Sequence, residues 1–246
     1  ILLRIDINSP VVKSHILDNP RFKASAETIS YLLKRKAKLV ILAHQGRKGD
    51  KDFLPLKQHA KFLSKHAKAK IKYINDLFGT DAQQAIKNLK QGQAILLENV
   101  RFFDDEKNTS SKTNRYISLC KLFDYYVNDA FSVSHRAQGS IVIPPRYLSS
   151  ALGTQFAKEL SASKNFSFKN NNKIAIVLGG AKVEDYLSLF KLLNNRKNII
   201  LASGILANLI LITKGNDLGY ESNWLKKHGY FSLIPQLKSL YKKYSR

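Results

Sequence analysis

The sequence predicts an α/β protein: two doubly wound parallel-sheet domains joined by a linker helix, the second domain incomplete. Three observations predict it. Short apolar runs alternate with amphipathic stretches along the 246 residues, the pattern of strands buried between two layers of helices. A first series of five runs is long enough for a whole sheet. A second series opens after the polar stretch 170–172 and holds only two runs, fewer than a stable sheet requires.

The first run, 1–7, is Ile-Leu-Leu-Arg-Ile-Asp-Ile. Its successors are 39–43, 71–74, 94–97 and 125–127, then 174–178 and 199–202 in the second series. Between them lie helical patterns: 26–36 places Ile29, Leu32 and Leu33 on one face, and 56–65 does the same with Ala60 and Leu63. Residues 149–168 are expected to begin as a helix, with Leu152, Phe156 and Leu160 at steps of four, before giving way to Ser, Lys and Asn. The expected organisation is a domain over 1–148, a linker helix over 149–172 and a partial domain over 173–246, with a last helix over 237–244.

Composition narrows the function classes. Hydrophobic residues make up 44%, which excludes a disordered chain. Forty-one Lys and Arg against eighteen Asp and Glu give a net charge of +23, enough to attract anions. The lysines are spread along the whole chain, so no specific nucleic-acid partner is expected. Cys120 is the only cysteine; an internal disulfide and a cysteine metal cluster are excluded, and the residue reads as a small buried hydrophobe in a reducing compartment. Apolar runs such as 205–212 fall short of the roughly 20 residues of a membrane span, so no membrane partner is expected. The chain starts at Ile1 and contains no methionine, so the natural start is expected to lie upstream.

In an open parallel sheet, ligands sit beyond the carboxyl ends of the strands. The residues there are Asp6 and Asn8; His44 and Arg47; Glu98, Asn99 and Arg101; and Asn128, Asp129, His135 and Arg136. Arg21, early in the segment leading to the first helix, reaches the same edge. Arginine suits a small, multiply charged anion because its planar fork pairs with carboxylate or phosphate oxygens and stays charged. Each such contact contributes roughly 4 kcal/mol at about 4 Å and an effective dielectric near 20, before desolvation. Taken singly, each residue is equally an ordinary strand-end polar group; their number along one edge points to a ligand.

The stretches Arg4-Ile5-Asp6-Ile7-Asn8-Ser9-Pro10, Ala43-His44-Gln45-Gly46-Arg47, Leu96-Leu97-Glu98-Asn99-Val100-Arg101-Phe102, Val127-Asn128-Asp129-Ala130-Phe131 with Ser134-His135-Arg136-Ala137, and Leu178-Gly179-Gly180-Ala181-Lys182-Val183 closely resemble the phosphoglycerate kinase family. Their order and separations also agree, from residue 1 to about 240. Ile7, Ser9 before Pro10, and Gln45 resemble the archaeal branch. The resemblance implies two Rossmann-like domains and reversible phosphoryl transfer between 1,3-bisphosphoglycerate with ADP and 3-phosphoglycerate with ATP, in the cytoplasm.

Carried over by position, the resemblance puts phosphoglycerate on Asp6, Asn8, Arg21, His44, Arg47, Arg101 and Arg136, with Arg21 reaching the transferring phosphoryl group. Arg4 is expected to be structural, its side chain facing away from the site. Gly179, Gly180 and Ala181 let the backbone approach nucleotide phosphates closely, and Lys182 is implied to neutralise the phosphoryl group in flight from the other domain. Gly204 resembles part of an adenine pocket. On its own, a Gly-Gly-Ala-Lys run is a common turn composition.

Two departures stand out: Ser203 where a second glycine is common, and Tyr186 where many members carry a second phosphate-binding lysine. The family's ATP or ADP comes with Mg2+, whose ligands are expected mainly from the nucleotide and from a part of the family's second domain that this sequence does not match. The 246-residue chain is therefore expected to bind 3-phosphoglycerate weakly without turnover. Two other readings stay open: a non-catalytic anion-binding half-enzyme, and a basic nucleic-acid-binding protein using the same sheet.

Overall fold

A computed structural model describes residues 1–110, 112–165, 173–195 and 197–244. The chain divides into two compact units, Ile1–Phe166 and Ser167–Arg246.

In the first unit the strands are β1 Leu2–Ile5, β2 Val11–Val12, β3 His15–Ile16, β4 Leu39–Leu42, β5 Ile71–Tyr73, β6 Ala94–Leu96, β7 Tyr125–Asp129 and β8 Ser149–Leu152. The helices are α1 Pro20–Lys34, α2 Lys57–Ala67, α3 Thr80–Lys87, α4 Arg115–Cys120, α5 Gly139–Val142, α6 Pro144–Tyr147 and α7 Thr154–Asn165. Six strands form one sheet in the order β5-β6-β4-β1-β7-β8, and every pairing is parallel. β1 lies between β4 and β7, with Leu2 opposite both Val40 and Tyr126.

Alternation along β1 divides the core. Leu3 and Ile5 pack with Phe22, Ala26 and Ile29 of α1 and with Ala60 and Leu63 of α2. Leu2 packs on the other face with Val40, Leu42, Ala82 and Ile86 of α3, and Tyr116 and Leu119 of α4. Side chains one residue apart point to opposite faces of a strand, so one strand feeds both layers. Each fully buried leucine contributes about 1.5–3 kcal/mol.

Two element boundaries differ from the sequence expectation. Helix α1 starts at Pro20, six residues before the apolar pattern at 26, because Asn19 accepts the Arg21 amide and Pro20 occupies the first turn, a strong start signal. Arg21 therefore belongs to the helix itself.

Residues 149–152 form a strand, not the opening of a helix. They pair with β7 from Tyr125↔Ser149 to Asn128↔Leu152, and Gly153 then separates β8 from α7. A Cβ at Gly153 would stand 2.2 Å from Asp129 Oδ1, so the chain breaks there. The spacing of Leu152 to Phe156 thus spans a strand end and a helix. Residues 166–172 of the expected linker helix lie outside the described residues.

The second unit contains β9 Ala175–Leu178 and β10 Ile199–Ala202, followed by α8 Gly204–Thr213, α9 Tyr220–Lys227 and α10 Ile234–Tyr244. The two strands pair in parallel. A 3-10 stretch, Val183–Asn194, connects them. Val183, Leu187, Phe190, Leu206, Leu209 and Leu237 form its core with Leu178. The opposite face of the strands is open: Val177 is 70% and Leu201 52% exposed. No described helix is long and apolar enough to cross a membrane.

Candidate anion-binding site

The carboxyl ends of β1, β4 and β7 surround a cavity of about 220 Å³. Asp6, Asn8, Arg21, His44, Arg47, Arg101 and Arg136 all line it. The topology explains the convergence, since β1 sits between β4 and β7 and the turns that follow them carry most of these residues. Gly46, Asp50, Asp52, Ser132 and Val133 complete the lining.

Asp6 is the hub. Its carboxylate forms an ion pair with Arg21 and accepts the Ser132 hydroxyl. It also accepts the Asn8 amide at 3.0 Å, and His44 Nε2 stands 4.0 Å away. Burial works against the charge, but the Ser132 hydroxyl, the Arg21 charge and the Asn8 amide outweigh it and hold the carboxyl below its ordinary range.

His44 is only 3% exposed. Burial, and next the Arg4 charge, push its pKa well below the ordinary value; Asp6 opposes them, and Arg101 and Arg21 add to them. The ring is neutral at neutral pH.

Backbone geometry shapes the rim. Asn8 Oδ1 accepts the Gly46 amide at 2.8 Å, and Arg101 Nη1 donates to the Gly46 carbonyl at 2.5 Å. Gly46 has φ +64°, and a Cβ there would lie 2.4 Å from the Asp52 carbonyl oxygen; only glycine fits. The Arg101 pKa falls to about 10 through burial and the nearby Arg4 and Arg136. Among the described residues, Arg47, Arg101 and Arg136 have no carboxylate oxygen within 4.0 Å. Three fixed cations thus face the cavity without an ion-pair partner, which suits a polyvalent anion.

The other strand-end candidates stand behind the cavity. Glu98 accepts the Leu56 and Asn99 amides and the Tyr73 hydroxyl. Asn99 accepts the Arg101 amide at 3.1 Å and donates to Gln45 O at 2.8 Å, so it orients the turn that carries Arg101. Asp129 is buried, accepts Thr28 Oγ1 at 2.6 Å and receives the Phe156 amide at 2.9 Å at the start of α7. Asn128 Oδ1 accepts the Ala130 amide within its own turn. His135 is exposed and accepts from Arg136 Nε at 3.2 Å.

Arg4 differs from expectation. Residues two apart on a strand share a face, so Arg4 points to the same side as Asp6. It lies beneath the cavity, completely buried, with Nη2 3.0 Å from His44 Nδ1.

The sequence reading passed over Ser132, Asp50 and Asp52. Ser132 lies between the two recognised stretches after β7, and its position in the turn following a strand was the available signal.

The glycine turn lies in the second unit. Gly179 and Gly180 follow β9, Ala181 and Lys182 are exposed, and Lys182 caps the 3-10 stretch. Gly180 has φ +101° with nothing within 4 Å of a Cβ, so its backbone is open to a ligand. Tyr186 donates to Gly180 O at 3.3 Å and Tyr230 to Ala181 O at 3.1 Å. Tyr186 therefore braces the turn from which the expected second lysine is absent.

Ser203 Oγ stands 2.3 Å from where a Gly179 Cβ would be, so a larger residue there would require the Ser203 hydroxyl to turn away. Gly204, φ +55°, opens α8 and lines a separate cavity of about 310 Å³ with Ile205, Tyr220 and Trp224. Among the described residues no cluster of three or more His, Cys, Asp or Glu is arranged to hold a metal.

A family model described as phosphoglycerate kinase matches residues 1–246. The chain is similar to the phosphoglycerate kinase of Sulfurisphaera tokodaii, 43% identical over 98% of this chain and 60% of the relative. It is similar also to that of Methanobacterium bryantii, 39% identical over 98% and 61%. Among solved structures it resembles phosphoglycerate kinase from Pyrococcus horikoshii, with a TM-score of 0.91 and 35% identity over 99% of this chain and 62% of the other. The enzyme from Coxiella burnetii gives a TM-score of 0.72 at 28% identity, over 99% and 60%. The chain spans about 60% of the length of the curated relatives it matches.

Proposed function

The chain belongs to the phosphoglycerate kinase family, and from that premise we propose that its first unit holds the phosphoglycerate in reversible transfer between 1,3-bisphosphoglycerate with ADP and 3-phosphoglycerate with ATP, a cytoplasmic step of glycolysis and gluconeogenesis in an enzyme of the archaeal branch. The observation that carries this reading is the cavity that all seven predicted residues share. Asp6 and Asn8 take the hydroxyl and carboxylate region of the ligand. His44, Arg47, Arg101 and Arg136 take its carboxylate and phosphate, and Arg21 reaches the phosphoryl group.

The chemistry suits such a site. Attack by a terminal ADP oxygen forms one P–O bond as the acyl P–O bond breaks, and the leaving group departs as a carboxylate. No general acid is required, so positioning and charge stabilisation carry the step. A neutral His44 among permanently charged arginines supplies both.

Nucleotide phosphates fit the open backbone at Gly179, Gly180 and Ala181, beside the exposed Lys182, whose charge would stabilise the phosphoryl group. The cavity at Gly204 leaves room for a flat ring. Mg2+ would be held mainly by the phosphates of ATP or ADP and by the part of the family's second domain that this chain does not match.

Isothermal titration of the 246-residue chain with 3-phosphoglycerate tests the reading, alongside a coupled assay for ATP formation. The expected result is weak, saturable binding without turnover. Absence of binding, or an affinity that falls steeply with salt while a nucleic acid competes, would defeat it.

A further inference from the structure

Arg4 has no part in the ligand contacts proposed above, yet it is the largest fully buried side chain among the described residues. An arginine is rarely buried so completely unless its donors are satisfied. Here three are: Nε donates to Ser140 Oγ at 2.9 Å, Nη1 to the Ile5 carbonyl, and Nη2 lies 3.0 Å from His44 Nδ1. Among the described residues no carboxylate oxygen comes within 4.0 Å of it.

The nearest compensation passes through Ser140. Its hydroxyl and amide both donate to Glu106, each at 2.8 Å, and Tyr116 donates to the same carboxylate at 3.0 Å. Gly139 keeps this corner closed, since a Cβ there would stand 2.4 Å from the Asp105 carbonyl oxygen.

A guanidinium has five N–H donors and no acceptor, and it does not lose its proton. The imidazole nitrogen facing it must therefore accept. With Nδ1 committed as the acceptor, a neutral His44 ring carries its proton on Nε2, the nitrogen on the cavity side. The groups around the ring favour neutrality: Arg4, Arg21 and Arg101 repel an imidazolium, and Asp6, which stands 4.0 Å from Nε2 in a cavity that Asp50 and Asp52 also line, is already held by Arg21 and Ser132.

We propose that Arg4 is a positioning residue that, through its contact with His44 Nδ1, fixes the ring as the Nε2–H tautomer, so that His44 presents a hydrogen-bond donor to an anionic oxygen in the cavity. The chain Glu106–Ser140–Arg4–His44 transmits this choice from the helical layer to the cavity. Its consequence for affinity rests on the phosphoglycerate reading; the tautomer does not.

The test uses the whole 246-residue chain labelled with 15N-histidine, with His44 assigned by comparison with His44→Gln. Long-range 1H–15N correlation should show a protonated Nε2 and an unprotonated Nδ1, unchanged from pH 7.5 to 5.5. Arg4→Lys keeps the charge but lacks a fork that reaches both Ser140 and His44. In that variant the ring should lose its single tautomer, and 3-phosphoglycerate affinity should fall about tenfold, the size of one charge-assisted hydrogen bond.

A wild-type ring protonated on Nδ1, or on both nitrogens at pH 7, overturns the proposal. So does a folded Arg4→Lys chain with the tautomer unchanged. The wild-type spectrum decides even where Arg4→Lys does not fold. The predicted tautomer in a chain that does not bind phosphoglycerate would support the role of Arg4 while removing the substrate reading.

Discussion

At the scale of single residues, the cavity holds cations that structure has placed but not paired. Arg47 is the plainest case, since it lines the cavity and has no carboxylate oxygen within 4.0 Å among the described residues. Removing it should cost no internal ion pair. Arg47→Ala is expected to leave the melting temperature within a few degrees while lowering 3-phosphoglycerate affinity about 10- to 100-fold, the range for hydrogen bonds to a charged group. Parallel calorimetric and thermal measurements check both halves.

His59 makes a different prediction. Its ring is fully buried, Nε2 bonds Gln45 Oε1 at 3.0 Å, and Nδ1 has no partner. Gln45 Oε1 also accepts the Ser9 amide, so His59 Nε2 donates, and a second proton on the buried Nδ1 would find no acceptor, which favours the neutral ring. Burial lowers its pKa from 6.5 to about 4. Between these values the unfolded chain binds the proton and the folded chain does not, so stability contributed by neutral His59 is present above about 6.5 and is lost as pH falls toward 4. Urea unfolding at pH 7 and pH 4.5 should show a loss of about 2–3 kcal/mol from this site. His59→Gln should flatten that acid limb; an identical limb in the variant would refute the assignment.

At the scale of elements, the apolar runs were legible because strands buried on both faces have little freedom of composition. β1, β4 and β6 are buried at every position. β8 was not legible for the converse reason: all four of its residues are exposed, and an edge strand held by backbone pairing leaves no apolar signature. The same applies to the β2–β3 hairpin, two residues a side, whose Lys13 and Ser14 turn at φ +47° and +63°.

The seven predicted cavity residues could be found because most of them follow a strand end, where arginine and histidine are uncommon and chemically specific. Contacts made through a hydroxyl or the backbone left no comparable mark, which is why Ser132 and Tyr230 were missed. Arg4 was misplaced through its parity on β1, although its identity was plain.

Gly46 and Gly153 join these elements. Gly46→Ala meets both a positive φ and a Cβ 2.4 Å from a backbone oxygen that cannot yield easily, so it should destabilise by about 1–3 kcal/mol and disorder the turn carrying Arg47. Gly153→Ala would press on Asp129, which caps α7. Chemical denaturation and hydrogen exchange at the 44–53 loop and at the start of α7 measure these effects separately.

At the scale of the whole molecule, the net charge of +23 concentrates anions around the chain without choosing among them. Selection lies in the geometry of one cavity.

The most direct test of the central claim is an amide chemical-shift titration of the 246-residue chain with 3-phosphoglycerate at fixed ionic strength. Saturable shifts should concentrate at residues 6–8, 21, 44–47, 100–102 and 132–136, and disappear in Arg47→Ala. Shifts scattered over the lysine-rich surface, or none at these residues at saturating ligand, would contradict a phosphoglycerate site at the carboxyl ends of β1, β4 and β7.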